Sequence, residues 1–227
     1  MQQLRRIGQV IALADDGTAS TEALASELRA CFPELPVAVR RNRASRAMVA
    51  AAERARAVET MRDQVVFGYF AGTRTHAGDL ATIEAALAGL LATEPRARLL
   101  LAGEVDVPSG LRRFGDRIER CAPVPWTELP ALQRRADVHL VPLAPSRFAT
   151  CKSELKWLEA ALVGRPVIAT ALGPYRACVR DGETGLLAQD EAAWDDALRR
   201  MLDDRLRARL GGAALSAAMQ AWTTDAP

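Results

Sequence analysis

Three stretches of the sequence combine residue types and spacings that can do chemistry. In the first, Val66-Phe67-Gly68-Tyr69-Phe70-Ala71-Gly72-Thr73-Arg74-Thr75-His76-Ala77-Gly78-Asp79, an apolar run passes through a glycine turn into a helix. Glycines there let backbone N–H groups approach an anion at the following helix N-terminus, where the dipole adds favourable potential. Arg74 and His76 can supply charge or hydrogen-bond donors to a phosphate. A tight strand-to-helix turn also calls for glycine on its own account. Neither G-x-G-x-x-G nor a P-loop occurs anywhere in the chain.

The second stretch is Phe148-Ala149-Thr150-Cys151-Lys152-Ser153-Glu154-Leu155-Lys156-Trp157-Leu158-Glu159-Ala160-Ala161. It follows the apolar run Val138–Leu143 after a loop holding Pro145, so its helix starts near the C-terminal edge of a sheet, where α/β proteins bind ligands. Lys152 just ahead of a helix start opposes the dipole and is tolerable if an anion sits between them; a solvated lysine is the plain alternative. Glu159, flanked by Trp157-Leu158 and Ala160-Ala161, needs hydrogen-bond donors, and sugar hydroxyls are suitable ones. Its plain alternative is an exposed helix glutamate facing water or Arg165.

The third stretch, Val179-Arg180-Asp181-Gly182-Glu183-Thr184-Gly185-Leu186-Leu187, is a two-glycine turn feeding a short apolar run, which turn geometry alone explains. His139, inside an apolar run, reads as a core histidine with its ring satisfied, and Trp126 between Pro125 and Thr127 as a packing residue. His76 and His139 are the two histidines and Asp-x-Asp is absent, so a protein-held metal has little support. Cys31, Cys121, Cys151 and Cys178 are too dispersed for a zinc site or a disulfide framework and read as reduced, mostly buried thiols.

These stretches need a scaffold. Short β-type runs at Ile7–Leu13, Val37–Arg40, Val65–Phe70, Arg98–Ala102, Val138–Leu143 and Pro166–Thr170 alternate with helical segments. The latter fall near Thr21–Cys31, Ser45–Thr60, Asp79–Thr93, Leu129–Ala136, Ser153–Val163 and Ala192–Leu202, with apolar residues at three- and four-residue spacing. That alternation predicts an α/β fold with a mainly parallel sheet. Asp79 and Ser153 are placed to cap helix starts, and Gly164 ahead of Pro166 to end a helix before a strand. The basic stretch from Arg40 to Arg46 reads as a solvated linker after a piece too short to be a doubly wound domain. Of 227 residues, 49% are hydrophobic, which supports one large or two small domains and argues against disorder. Thirty Lys and Arg against 28 Asp and Glu leave a net charge of +2, which disfavours recruitment of nucleic acid or an anionic membrane. The longest uncharged run, Leu210 to Thr224, is too short to span a membrane. The N-terminus lacks a signal-type apolar core, so a cytoplasmic protein is expected.

Taken in order, these segments resemble the C-terminal half of a GT-B retaining glycosyltransferase of the glycosyltransferase group 1 family. The resemblance is carried by Gly68-Tyr69-Phe70-Ala71-Gly72-Thr73, Thr75-His76 with Asp79, Leu99-Leu100-Leu101-Ala102-Gly103, and Ala136-Asp137-Val138 leading to Val141-Pro142-Leu143. It continues through Lys152-Ser153-Glu154-Leu155-Lys156-Trp157-Leu158-Glu159-Ala160, Gly164-Arg165-Pro166-Val167-Ile168-Ala169, Asp181-Gly182 and Gly185-Leu186-Leu187. It spans about residues 64 to 205. Upstream, Ser20–Ala25 and Val37–Asn42 resemble the last helix and strand of that family's acceptor-binding half, most of which is absent; a complete enzyme of this kind needs roughly 350 residues.

The resemblance implies a Rossmann-like parallel sheet flanked by helices over 61–227, with 1–60 as a remnant of the N-terminal half plus a linker helix. It implies an enzyme of polysaccharide biosynthesis that moves a sugar from a nucleoside diphosphate to an acceptor hydroxyl with retention. The acceptor would be a glycan or lipid-linked glycan, with no resident cofactor, no metal and no nucleic acid. In the family, a Glu-x7-Glu motif contacts donor sugar and ribose. Glu159 matches the second Glu, while the first falls on Cys151, for which Lys152 or Glu154 is the expected substitute. The substrate-binding set is then Gly72, Thr73, Arg74, His76, Lys152, Ser153, Glu154, Leu155 and Glu159, with no side chain assigned as catalytic. Two other readings are a non-catalytic nucleotide-sugar-binding chain that relies on a partner for the acceptor half, and an interaction module without a ligand. Uncovered apolar surface on the upstream piece is expected to be hidden by self-association, by docking onto the larger domain or by a partner chain.

Overall fold

The structure, a computed structural model, describes residues 2–58, 63–72 and 77–224. The end of the helix expected over 45–60, and the site candidates Thr73, Arg74 and His76, lie outside the described residues.

The upstream segment forms a small unit of its own. The run Ile7–Leu13, expected as a strand, belongs mostly to helix α1 (Gln2–Ile11). Ile7, Val10 and Ile11 recur at helical spacing, and among the described residues the neighbouring sheet holds two strands. Those strands are β1 (Gly17–Ala19) and β2 (Val37–Val39), paired in parallel with Thr18 opposite Ala38. Helix α2 (Glu22–Cys31) joins them, capped by the Thr21 hydroxyl, which accepts from the Leu24 N–H at 3.2 Å. Buried Ala19, Ala25 and Val37 form its core. Ile7, Val10 and Leu13 remain 50%, 68% and 85% exposed.

Helix α3 (Arg46–Arg56) starts on a Ser45 cap, the hydroxyl accepting from the Met48 N–H. It buries Ala52 and Ala55 in one cluster with Trp157, Leu158 and Ala214 of the larger unit. That unit is built on six parallel strands in the order β5 (Ile118–Cys121), β4 (Ala97–Gly103), β3 (Val65–Ala71), β6 (Val138–Val141), β7 (Val167–Thr170) and β8 (Leu186–Ala188). The central β3 (Val65–Ala71) is buried at every position, as a strand covered on both faces must be. The helix expected over Asp79–Thr93 is two helices, α4 (Ala77–Ala81) and α5 (Glu84–Thr93). Between them the Thr82 hydroxyl and N–H both donate to the Asp79 carbonyl, tightening the turn and ending the first helix.

Next come β4 (Ala97–Gly103), a 3₁₀ segment (Ser109–Arg117), edge strand β5 (Ile118–Cys121), α6 (Leu129–Arg134) and β6 (Val138–Val141). A Cβ on Gly103, at φ +99°, would stand 1.9 Å from the Ala71 carbonyl oxygen, so glycine is required where these two strand ends meet. After α7 (Arg147–Cys151) comes α8 (Leu155–Leu162), which ends as expected at Gly164 in the left-handed region. The Gly164 and Arg165 N–H groups donate to Ala161 and Ala160, satisfying the last carbonyls. Strand β7 (Val167–Thr170), α9 (Gly173–Cys178), β8 (Leu186–Ala188), α10 (Glu191–Arg200) and α11 (Asp204–Ala221) complete the unit.

The 40–46 stretch is tied down rather than free in solvent. The Ala44 N–H donates to Trp222 at 2.7 Å, the Thr224 N–H donates to Ala44 at 2.9 Å, and the Arg41 guanidinium lies over the Trp222 ring. His139 is buried as expected, its Nε2 3.0 Å from the Gln133 carbonyl oxygen and its ring against Phe70. Trp126, expected as packing, is instead 57% exposed. All four cysteines are free, but Cys178 alone is buried, in the cluster that holds Tyr175 and Val179, while Cys31 is exposed and Cys121 and Cys151 are partly so. None of the described helices is long and apolar enough to cross a membrane.

Candidate functional site

The strand order places β3 between β4 and β6, so successive crossovers run outward from β3 in opposite directions and leave a crevice beyond the strand ends. A cleft of about 440 Å³ occupies it. Its floor is Phe70-Ala71-Gly72 and Ala102-Gly103 from the ends of β3 and β4; one wall is Ala122-Pro123-Val124 with Leu129 and Leu132 of α6. The opposite wall is Lys152, Ser153, Leu155, Lys156 and Glu159, with Phe148 and Tyr175. Most of this surface is apolar, and the charged groups gather along the 152–159 segment.

Contacts at Ala144 and at residues 151–153 fix the start of that segment. Asp79 accepts the Ala144 N–H at 3.0 Å and pairs with the Lys152 ammonium at 3.1 Å, both side chains largely buried. It is therefore a tertiary anchor and not the helix cap expected of it. Asn42 donates to the Ser153 hydroxyl at 2.8 Å, and Thr21 to the Cys151 carbonyl, so the small unit grips the rim of the cleft. Ser153 does not cap α8; Glu154 takes the cap position with no side-chain hydrogen bond there. The first N–H groups of α8 thus start uncapped beside cleft-lining Ser153, Leu155 and Lys156, a geometry suited to an anion.

Lys152 precedes α8 in an extended conformation (φ −61°, ψ 155°), so it and Glu159 do not share a helix face. Its ammonium also lies 5.3 Å from the centre of the Phe148 ring. Glu159 accepts from Gln133 Nε2 at 2.9 Å. Burial holds its carboxyl above the ordinary range, against the opposing effects of the Gln133 bond and Lys156. Beyond Glu159 a second, apolar cavity of about 140 Å³ opens between Met48, Ala52, Trp126 and Leu162. Glu154 is wholly buried, both carboxylate oxygens lack a hydrogen-bond partner, and burial raises its pKa. It stands behind the cleft wall, so the sequence expectation that it faces a substrate does not match its position.

Of the expected site residues, Gly72, Lys152, Ser153, Leu155 and Glu159 come together on the cleft. Sequence reasoning passed over Lys156, Tyr175 and the Asp79–Lys152 pair. Lys156 is the second cation of Lys-Ser-Glu-Leu-Lys, but residue type alone does not separate it from a solvated lysine, and the Asp79 pairing, across 73 residues of chain, leaves no local signal. Among the described residues, no group of three or more His, Cys, Asp or Glu is placed to hold a metal.

A parallel sheet in this order, with the cleft at its point of reversal, is a Rossmann-like α/β domain. A profile of the family described as "Glycosyl transferases group 1" matches residues 65–204, more than half of the chain, and the chain belongs to that family. The D-inositol 3-phosphate glycosyltransferase of Acidothermus cellulolyticus is 33% identical over 152 residues, covering 64% of this chain and 31% of that protein. The enzyme of the same name from Corynebacterium efficiens is 34% identical over 157 residues, 62% of this chain and 36% of the other. The chain thus spans about a third of the length of these relatives. Anabaena Alr3699/HepE, solved in complex with UDP-glucose, superposes with a TM-score of 0.73 at 18% identity, over 98% of this chain and 64% of HepE. The C-terminal domain of the group 1 glycosyl transferase LpcC from Francisella tularensis superposes with a TM-score of 0.54 at 20% identity, over 71% of this chain and 87% of that domain. These structures establish the fold as that of one half of a GT-B glycosyltransferase.

Proposed function

We propose that residues 61–227 are the donor-binding part of a glycosyltransferase, which moves a sugar from a nucleoside diphosphate to an acceptor hydroxyl with retention of configuration. The observation that carries this reading is the cleft itself. One end gathers Lys152, Lys156 and the uncapped start of α8, an anion-binding constellation, and the remainder is apolar with Glu159 set further in. That pattern fits a diphosphate at the charged end, with the ribose hydroxyls donating to Glu159 and the base against Val124 and Leu129. The UDP-glucose bound by HepE, a protein of the same fold, supports the ligand class. Catalysis then consists of positioning the donor and stabilising the leaving diphosphate through N–H groups and Lys152.

Calorimetry with UDP, GDP, ADP and dTDP, each against its nucleoside, tests the assignment. Lys152→Ala is expected to weaken diphosphate binding by about 1–3 kcal/mol more than nucleoside binding, as loss of a charge-assisted contact does. The freed Asp79 carboxylate, facing the anion, adds to that loss. Glu159→Gln weakens both ligands, because ribose is common to them. Equal losses for both ligands in Lys152→Ala, or none in Glu159→Gln, overturn the site. Retention is read from the anomeric configuration of a transfer product by NMR.

A further inference from the structure

Lys156, the second residue of α8, is buried in an unusual way. Its side chain lines the cleft, its Nζ is shielded from solvent, and that Nζ has no hydrogen-bond partner. The ammonium lies 5.0 Å from the centre of the Tyr69 ring of β3, a cation–π contact that does not replace a counter-ion. The charged groups around it are engaged: Asp79 of α4 with Lys152 and the Ala144 N–H, and Glu159 of its own helix with Gln133. Lys152 adds a like charge, and Tyr175 of α9 faces the same cleft. Behind it, Gln133 of α6 and His139 of β6 share a space of about 10 Å³, room for a single water at most. A buried ammonium without a partner is costly, and the open side from which a partner can arrive is the cleft.

We propose that Lys156 is the cleft's anion contact, taking a charged oxygen of the donor, either a phosphate of the diphosphate or a carboxylate on the transferred sugar, and carrying a proton into the complex. The inference rests on the donor-site reading above. Burial pulls the amine down to about 8, with Lys152 adding to the effect and Asp79 and Glu159 opposing it. A bound anion favours the ammonium, so ligand binding above that pH draws a proton from solvent. The unfolded chain keeps the ordinary value of 10.5 and so holds more protons than the folded, ligand-free protein between pH 8 and 10.5. The stability cost of Lys156 is therefore complete below pH 8 and is relieved as pH rises towards 10.5.

Titration calorimetry at pH 8.5, in two buffers of different ionisation enthalpy, measures the proton directly. The probes are UDP, or whichever of GDP, ADP and dTDP binds, and the matching nucleoside. The wild type is expected to take up roughly 0.7 proton with the diphosphate and none with the nucleoside. Lys156→Met abolishes the uptake and weakens an anionic ligand at least tenfold while changing nucleoside affinity less than twofold. It also raises the melting temperature at pH 7, since a buried unpaired charge is gone, which a merely structural lysine would not do. Lys156→Arg, charged at every accessible pH, restores much of the affinity without proton uptake. A loss seen with the bare diphosphate assigns the phosphate; a loss confined to a UDP-uronate against UDP-glucose assigns the sugar carboxylate. Unchanged proton uptake in Lys156→Met, or equal losses for diphosphate and nucleoside, overturns the role of Lys156 alone. No binding of any nucleoside diphosphate to the wild type overturns the donor-site reading as well.

Discussion

The two parallel sheets of this molecule differ in how much of their stability they own. The six-stranded sheet is covered on both faces: β3 is buried throughout, and Trp157, 1% exposed, packs edge-on against Trp222 while its indole N–H donates to the Thr184 carbonyl. The two-stranded sheet has three-residue strands and a core of Ala19, Ala25 and Val37. A pair of strands with so little apolar burial is marginal alone, and what steadies it is borrowed. Thr21 donates to the Cys151 carbonyl, Asn42 to Ser153, and Arg147 pairs with Glu27. All three contacts land on the 147–153 stretch at the cleft rim, so the small unit is ordered by the same segment that the candidate site depends on.

Core truncations should separate the two regions most strongly. Trp157→Ala is expected to cost about 3–5 kcal/mol, as large-to-small changes at a fully packed site do, and to shift the whole denaturation curve. Val37→Ala in the small sheet should leave that transition almost in place and instead speed hydrogen exchange over 17–39. Equal shifts of the global transition would show that the two regions fold as one unit.

The next effect is specific to the large sheet and depends on pH. Burial holds His139 down at about 4, against an ordinary value of 6.5. Between those values the unfolded chain binds more protons, so stability present above pH 6.5 is lost as pH falls towards 4, by on the order of 3 kcal/mol. Glu154 and Glu159, both raised by burial, act in the opposite sense as acid neutralises them. The His139 part is therefore read as the difference between wild type and His139→Gln in denaturation curves from pH 7 to 4.5. Identical slopes would contradict it. The smallest effect belongs to the tie between regions: Asn42→Ala should cost about 1 kcal/mol and loosen exchange at β1 and β2 while β3 and β4 stay protected. Unchanged exchange at β1 and β2 would remove Asn42 from the anchoring role.

The alternation of β runs and helical segments made the large sheet legible, because its central strands are buried on both faces and so are continuous apolar runs. What stayed hidden has identifiable causes. Strand β1 is Gly-Thr-Ala and β8 three residues long, too short for a period to show. Edge strand β5, Ile-Glu-Arg-Cys, carries charges that an edge tolerates and a centre would not. The α1 region resembles a strand in its dense apolar run from Ile7 to Leu13, which masks the helical spacing of Ile7, Val10 and Ile11. At the cleft, Gly72, Lys152 and Glu159 announced themselves through residue type and order. Glu154 misled because its neighbours in sequence line the cleft while its own side chain turns inward. Lys156 needed the fold, since only burial distinguishes a ligand-seeking amine from a solvated one.

A nucleoside diphosphate bound in the cleft leaves a footprint on the backbone that lines it. Hydrogen exchange of the full chain, with and without a saturating nucleoside diphosphate, should show new protection at Gly72, Ala122–Val124 and the 153–159 segment, with β1 and β2 changed little. Protection absent from 153–159, or confined to the upstream unit, would contradict the cleft as the donor site.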